Sequence, residues 1–191
     1  TSLAGSPVPA APADARPNIL VIIADDWSWP HAGAYGLKTI KTPNFDRVAA
    51  SGVLFRNAFT AAPTCTASRG ALLTGKHPHR LEDGGNLWSI LPARHLSYPD
   101  LLSTRGYAVG QTGKGWSPGA LDGSGRTHNP AGKTFPSFER FLKTVPDGTP
   151  FCFWHGSVDP HRPYDKGTGL KAGYDPGSVD VPKYLPDTPE V

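Results

Sequence analysis

Residues 18–24, Asn-Ile-Leu-Val-Ile-Ile-Ala, form an apolar stretch rich in β-branched side chains that ends abruptly in Asp25-Asp26. A continuous run of this kind predicts a central strand buried on both faces of a parallel sheet. Parallel strands require crossover helices, so the rest of the chain must alternate between the two element types. It does. Thr42 as N-cap, Pro43 at the first helical position and Phe45, Val48 and Ala49 on one face predict a helix that Gly52 stops. Residues 53–59 alternate well enough for a strand. Further on, residues 99–105 followed by Gly106 read as a helix, 107–112 as a short strand, 137–143 as an amphipathic helix and 151–155 as a strong strand. Residues 122–132 hold several Gly, a Pro and few apolar residues, which predicts an irregular loop.

Polar residues follow three of the expected strands: Asp25 and Asp26 after the first, Lys114 just past the end of 107–112, and Asp159 and His161 beyond 151–155. The carboxyl ends of parallel strands are where open α/β sheets bind ligands, so one rim is expected to collect the chemistry. Two adjacent carboxylates repel each other unless a cation lies between them, and their hard oxygen atoms suit Ca²⁺ or Mg²⁺ rather than zinc. Taken singly, a Lys after a strand is usually solvated and a His in a Pro-rich loop is usually a turn residue. His77 and His79 are spaced to bind a metal, but no third ligand accompanies them, and a loop explains the pair. Gly84-Gly85-Asn86-Leu87-Trp88 is a turn carrying an aromatic that is either buried or turned toward a ligand.

The run Cys65-Thr66-Ala67-Ser68-Arg69-Gly70, continuing to Leu73-Thr74-Gly75, places a thiol where a helix is expected to begin, with Pro63 and Thr64 before it and Gly75 as its stop. Arg69 lies on the same face as Cys65, near the exposed N–H groups of a helix start, an arrangement that favours an anion. From the residues alone two readings stand: a nucleophile beside a cation, or a small apolar residue packed under a helix.

This run resembles the sulfatase signature: Cys, any residue, a small residue or Pro, any residue, Arg, then Gly and a Leu-Thr-Gly ending. Ala67 stands where many members carry Pro or Ser. The strand, the Asp pair and the Cys65 helix about 40 residues on follow the sulfatase order, a spacing within one βαβ unit plus a loop. Gly113-Lys114 resembles the family's Gly-Lys motif, and Asp159-Pro160-His161 its Pro-His segment. The resemblance implies that Cys65 is oxidised by a maturation enzyme to formylglycine, whose hydrate attacks sulfur. It implies that Asp25, Asp26 and the oxygen at position 65 bind Ca²⁺, with Mg²⁺ as the alternative. Arg69, Lys114 and His161 would act on the sulfate and the nucleophile as catalytic residues. Trp116 occupies the place of a second histidine, so that residue's role in protonating the leaving group does not carry over. Asp159-Pro160-His161-Arg162 after a Phe-rich strand is similar to the sulfamidase-like branch, which implies a sulfated saccharide and first of all N-sulfoglucosamine. A phosphodiester or phosphonate hydrolase of the same superfamily and a non-catalytic glycan-binding fragment are the alternatives.

The chain has 191 residues, 38% of them hydrophobic, and a net charge of +3, enough to bury one core. That balance is too weak to indicate a nucleic-acid partner, no basic run supports one, and no stretch reaches the length of a membrane span. Residues 1–16, rich in Ala and Pro, are expected to be a disordered arm, and the lack of a Met start and of an apolar signal core fits a mature or trimmed N-terminus, with export to the periplasm or outside. A disulfide between Cys65 and Cys152 is disfavoured, since Cys152 falls inside the apolar run 151–154. The expected architecture is α/β, a mainly parallel mixed sheet sandwiched by helices, as in the alkaline-phosphatase-type fold of sulfatases. Residues 17–191 would be the N-terminal portion of a sulfatase catalytic domain, with the Pro-rich 180–189 a passage toward a later segment that supplies further metal ligands.

Overall fold

The computed structural model describes residues 16–188. The strands are β1 (Ile19–Ile23), β2 (Ala108–Gly113), β3 (Lys133–Thr134) and β4 (Phe151–Gly156). The α-helices are α1 (Pro43–Ser51), α2 (Cys65–Thr74), α3 (Tyr98–Thr104), α4 (Phe138–Leu142) and α5 (Thr168–Lys171). The chain forms two compact units, one from residues up to Ile23 together with Ala61–Gly156, the other from Ala24–Thr60 together with residues from Ser157 onward. The arm expected over residues 1–16 lies outside the described residues except for Arg16, whose guanidinium donates to the Arg105 carbonyl. No helix among the described residues is long and apolar enough to cross a membrane.

In the first unit all four strands are parallel, in the order β1-β4-β2-β3. The register pairs Ile23 with Gly156 and Gly113 with Gly156, so β1, β2 and β4 end level. One face packs Val21, Ile23 and Trp154 with Leu73 of α2 and with Leu81, Leu91, Trp116 and Ala131. The other face is aromatic. Phe138 and Phe141 of α4 lie 4.9 and 4.7 Å, centroid to centroid, from Phe153, and Phe135 lies 5.2 Å from Phe141. Gly110 of β2 is obligatory there, because a Cβ at that position would come within 2.6 Å of Phe141.

The first strand departs from expectation. β1 is at the sheet's edge among the described residues, and its burial alternates: Leu20 and Ile22 are 47% and 67% exposed. The physical reason is lateral position. Leu20 and Ile22 share the face of Phe153 and His155, where the phenyl cluster covers β4 and stops short of β1. Residues 53–59 also fail to form a strand, and Val53, Phe55 and Phe59 are exposed. Alternation alone does not make a strand without a partner ladder, and none of the described strands pairs with this segment.

The helix boundaries follow the sequence signals closely. α1 begins with Pro43 after Thr42 and ends at Gly52, and α2 ends at Gly75, whose φ of 66° is the left-handed stop that glycine permits. α3 opens with a reciprocal cap: Ser97 Oγ accepts from the Asp100 N–H while the Asp100 carboxylate accepts from the Ser97 N–H at 2.8 Å. Burial alone would raise the Asp100 pKa. The Ser97 bonds and the Arg126 guanidinium at 3.0 Å outweigh it and hold the carboxyl below its usual range. Cys152 is buried and unbridged, and burial pushes its thiol up to about 11. The loop expectation for 122–132 holds, a series of turns. In the second unit Trp27 and Tyr35 pack on Phe45 of α1, at 5.0 and 6.0 Å between centroids.

Candidate active site

Cys65 is the first residue of α2 and Thr64 its extended N-cap. The hydroxyls on either side of it in sequence, Thr64 Oγ1 and Thr66 Oγ1, are buried without a hydrogen-bond partner among the described residues. Lys114 reaches this helix start from the end of β2: its Nζ lies 3.4 Å from Cys65 Sγ. The backbone at Lys114 is fixed by its neighbours. Gly113 holds φ at 68°, the Lys114 N–H donates to the Gly156 carbonyl at 2.9 Å, and the Lys114 carbonyl accepts from Trp154 Nε1 at 3.0 Å and from Arg69 Nη1 at 2.8 Å.

Arg69 does more than the sequence suggests. It is buried, its Nη1 also donates to the Gly115 carbonyl at 3.1 Å, and its guanidinium lies 6.0 Å from the Trp154 ring centre. It therefore ties α2 to the segment leaving β2, with one charged group bonding two buried carbonyls. Trp154 was not legible as a site residue. A Trp inside an apolar strand reads as core, and only the fold reveals that its indole N–H holds the lysine backbone. Trp116, in the place of an expected histidine, is fully turned inward. Its Nε1 donates to the Thr66 carbonyl at 3.1 Å, and Asn129 bonds its backbone on both sides. An indole N–H so engaged offers no proton to a leaving group.

In the second unit, Asp25 is buried and its N–H donates to the Asp159 carbonyl at 3.0 Å. Asp26 takes φ of 58°, a left-handed conformation uncommon outside Gly, Asn and Asp. His161 Nε2 lies 3.6 Å from Asp26 Oδ2, and its Nδ1 is 2.6 Å from the Arg162 carbonyl. A carbonyl only accepts, so Nδ1 carries the proton and Nε2 is the nitrogen directed at the carboxylate. As imidazolium it forms an ion pair there; as a neutral ring it presents a lone pair. A buried carboxylate beside a second one is costly unless a positive charge offsets it, and two hard oxygen donors of this kind fit a divalent cation such as Ca²⁺.

The structure thus brings Lys114 to Cys65, with Arg69 holding the lysine backbone, and His161 to Asp26. His77 and His79 stack at 5.7 Å and join no three-residue group of metal-ligating side chains among the described residues. Trp88 is exposed.

Comparison with known proteins bears on what this arrangement is. The Sulfatase family profile matches residues 17–178. Steryl-sulfatase of Mus musculus is 40% identical over 153 residues, covering 73% of this chain and 24% of its own length. N-acetylgalactosamine-6-O-sulfatase of Bacteroides thetaiotaomicron is 32% identical over 182 residues, covering 89% of this chain and 36% of its own length. Among solved structures, that of a 2-O GAG sulfatase superposes with a TM-score of 0.57 at 26% identity, covering 76% of this chain and 35% of that one. The chain spans about a quarter to a third of the length of these curated relatives. The α/β architecture with its parallel sheet is the sulfatase fold, in its N-terminal part, and the chain belongs to the sulfatase family.

Proposed function

We propose that the protein carrying this chain hydrolyses the sulfuric esters or sulfamates of sulfated saccharides through a formylglycine derived from Cys65. The observation that carries the reading is the ammonium of Lys114 at 3.4 Å from Cys65 Sγ, at the start of a helix whose sequence is the family's signature. The catalytic residues in this reading are Cys65, Arg69, Lys114 and His161, and the metal ligands are Asp25, Asp26 and position 65. The modification is introduced by a maturation enzyme, and the hydrated aldehyde supplies an oxygen nucleophile for sulfur. Ca²⁺, or Mg²⁺ in its place, supplies positive charge that favours the deprotonated form of that oxygen.

The chain's own residues supply the rest. Lys114 presents a point charge to the anion that gathers at position 65, and the two donors on its carbonyl fix the direction from which that charge arrives. The N–H groups at the start of α2 favour the same anion. Arg69 keeps helix and lysine in step. His161, with Nδ1 anchored on the Arg162 carbonyl, can as imidazolium donate its Nε2–H to a sulfate oxygen or pass that proton, and as a neutral ring can accept one at Nε2.

The relatives named above bear on substrate. One is named for an N-acetylgalactosamine-6-O-sulfate and a structural neighbour as a 2-O GAG sulfatase, which supports a sulfated saccharide for this protein as well. Within that class we place N-sulfoglucosamine first, on the likeness of residues 159–162 to the sulfamidase-like branch, and O-sulfated sugars next. The test is kcat/KM for the full-length enzyme on N-sulfated and O-sulfated glucosamines, an aryl sulfate and a phosphodiester. A sulfated sugar should lead. Preference for the phosphodiester overturns the reaction class, and absence of turnover on every sulfate by matured protein leaves a glycan-binding fragment.

A further inference from the structure

The second unit contains a cleft of about 480 Å³ whose walls are the turn before α1 and the segment after α5. Lys38, Thr39 and Lys41 line one side, and Tyr174, Asp175 and Ser178 the other. The walls are stapled where Thr39 Oγ1 donates to the Ser178 carbonyl at 3.2 Å. None of these residues belongs to the machinery proposed above. We propose that this cleft binds an anionic group, a sulfate or a carboxylate, of an acidic saccharide.

Charge and shape carry the inference together. Neither Lys38 nor Lys41 forms an ion pair among the described residues. The one carboxylate in the lining has an oxygen engaged on its own loop, where Asp175 Oδ1 accepts the Gly177 N–H at 2.9 Å. Two lysines without an ion-pair partner among the described residues therefore line a concave space in which the one carboxylate has an oxygen engaged on its own loop. An oxyanion entering there exchanges water for charge-assisted hydrogen bonds. The volume is that of a small-molecule site, large enough for a sugar residue with its anionic substituent, and the Tyr174 ring adds an apolar surface for the sugar's C–H face. The saccharide as source of the anion rests on the function proposed above; the oxyanion chemistry rests on the cleft alone.

The experiment titrates a fluorescent tetrasaccharide of alternating glucosamine and uronate, carrying N- and O-sulfates, into the protein by anisotropy at low and at physiological salt. The double variant Lys38→Gln/Lys41→Gln should bind on the order of tenfold more weakly at low salt and lose most of the salt dependence, since two charged contacts disappear. Both lysines are exposed, so the far-UV circular dichroism should match the parent. A desulfated tetrasaccharide that keeps its carboxylates separates the sources: retained sensitivity to the lysines assigns a carboxylate, lost sensitivity a sulfate. A Lys114→Met variant separates this site from the first. If Lys114→Met abolishes binding and the double variant does not change it, the cleft proposal is overturned while the proposed function stands. If lysine-dependent binding persists in matured protein that hydrolyses no sulfate, the cleft stands and the proposed function falls. No binding of either tetrasaccharide overturns the cleft outright.

Discussion

The carbonyl of Lys114 receives two buried donors, Arg69 Nη1 at 2.8 Å and Trp154 Nε1 at 3.0 Å, and this shared acceptor makes a quantitative prediction. Arg69→Met keeps the length and apolar stem but removes the donor on Gly115 as well as one of the two on Lys114. Leaving a buried carbonyl short of its donor costs about 1–3 kcal/mol, and bonds from charged groups lie at the upper end. Relief of the buried guanidinium's desolvation offsets part of this, so the expected net loss is about 2–3 kcal/mol. For a chain of this length that is a fall in Tm of roughly 5–10 °C. Trp154→Phe should cost about as much, through one hydrogen bond and the space left by the lost ring in the cluster with Leu73, Leu81 and Leu91. Each single variant leaves the Lys114 carbonyl one of these donors. The double variant leaves neither, so its cost should exceed the sum of the two by about 1–2 kcal/mol. Urea unfolding of the parent, both singles and the double, with the coupling taken from the cycle, is the assay. Additivity within about 0.3 kcal/mol would show that the two side chains do not share the lysine backbone, and the account of how Lys114 is positioned would be wrong.

Two further outcomes follow from close approach and from burial. Gly156→Ala should cost about 3 kcal/mol, because its Cβ would lie 1.9 Å from the Lys114 carbonyl oxygen, whereas Gly75→Ala, with open space but φ of 66°, should cost about 1 kcal/mol; urea midpoints that reverse this order contradict the geometry. Stability should also fall on acidification below pH 6.5. His95 is buried, and that burial, with the charges of Lys76, Arg94 and Arg126, lowers its pKa from the usual 6.5. The contact of its Nε2 with Glu82 at 2.9 Å works the other way, but a neutral ring satisfies it by donating, with Nδ1 accepting from Lys76 at 3.1 Å. The unfolded chain therefore takes up a proton before the folded one, the contribution is complete above pH 6.5, and it is lost as pH falls, by at most about 1.4 kcal/mol per unit. His95→Gln should flatten that slope in denaturant titrations; an unchanged slope removes His95 as its origin.

What the sequence revealed and what it concealed divide along the range of the forces involved. Caps, stops and strand runs are local, so Pro43 with Gly52, Gly75 after α2 and the apolar strand of residues 151–155 were all legible. The motif residues Cys65 and Lys114 were legible by their place at a helix start and a strand end, and the fold brings them together. Burial was not, because it depends on what lies alongside. β1 has the composition of a strand covered on both faces, yet it lies at the edge of the described sheet with Leu20 and Ile22 exposed. The alternation over 53–59 likewise says nothing of whether a partner strand exists. β3 is too short for any period to register. The tie from Arg69 and Trp154 to one carbonyl spans 45 and 40 positions of sequence and involves a backbone acceptor, which no side-chain pattern encodes.

The central claim is that position 65 becomes a formylglycine, and the mass of the peptide that contains it tests this most directly. Protein produced with a competent maturation system and digested for mass spectrometry should yield that peptide about 18 Da lighter than the cysteine form, the difference between a thiol-bearing and an aldehyde-bearing side chain. Finding only the unmodified thiol at position 65 in a preparation that hydrolyses sulfate esters would contradict the account.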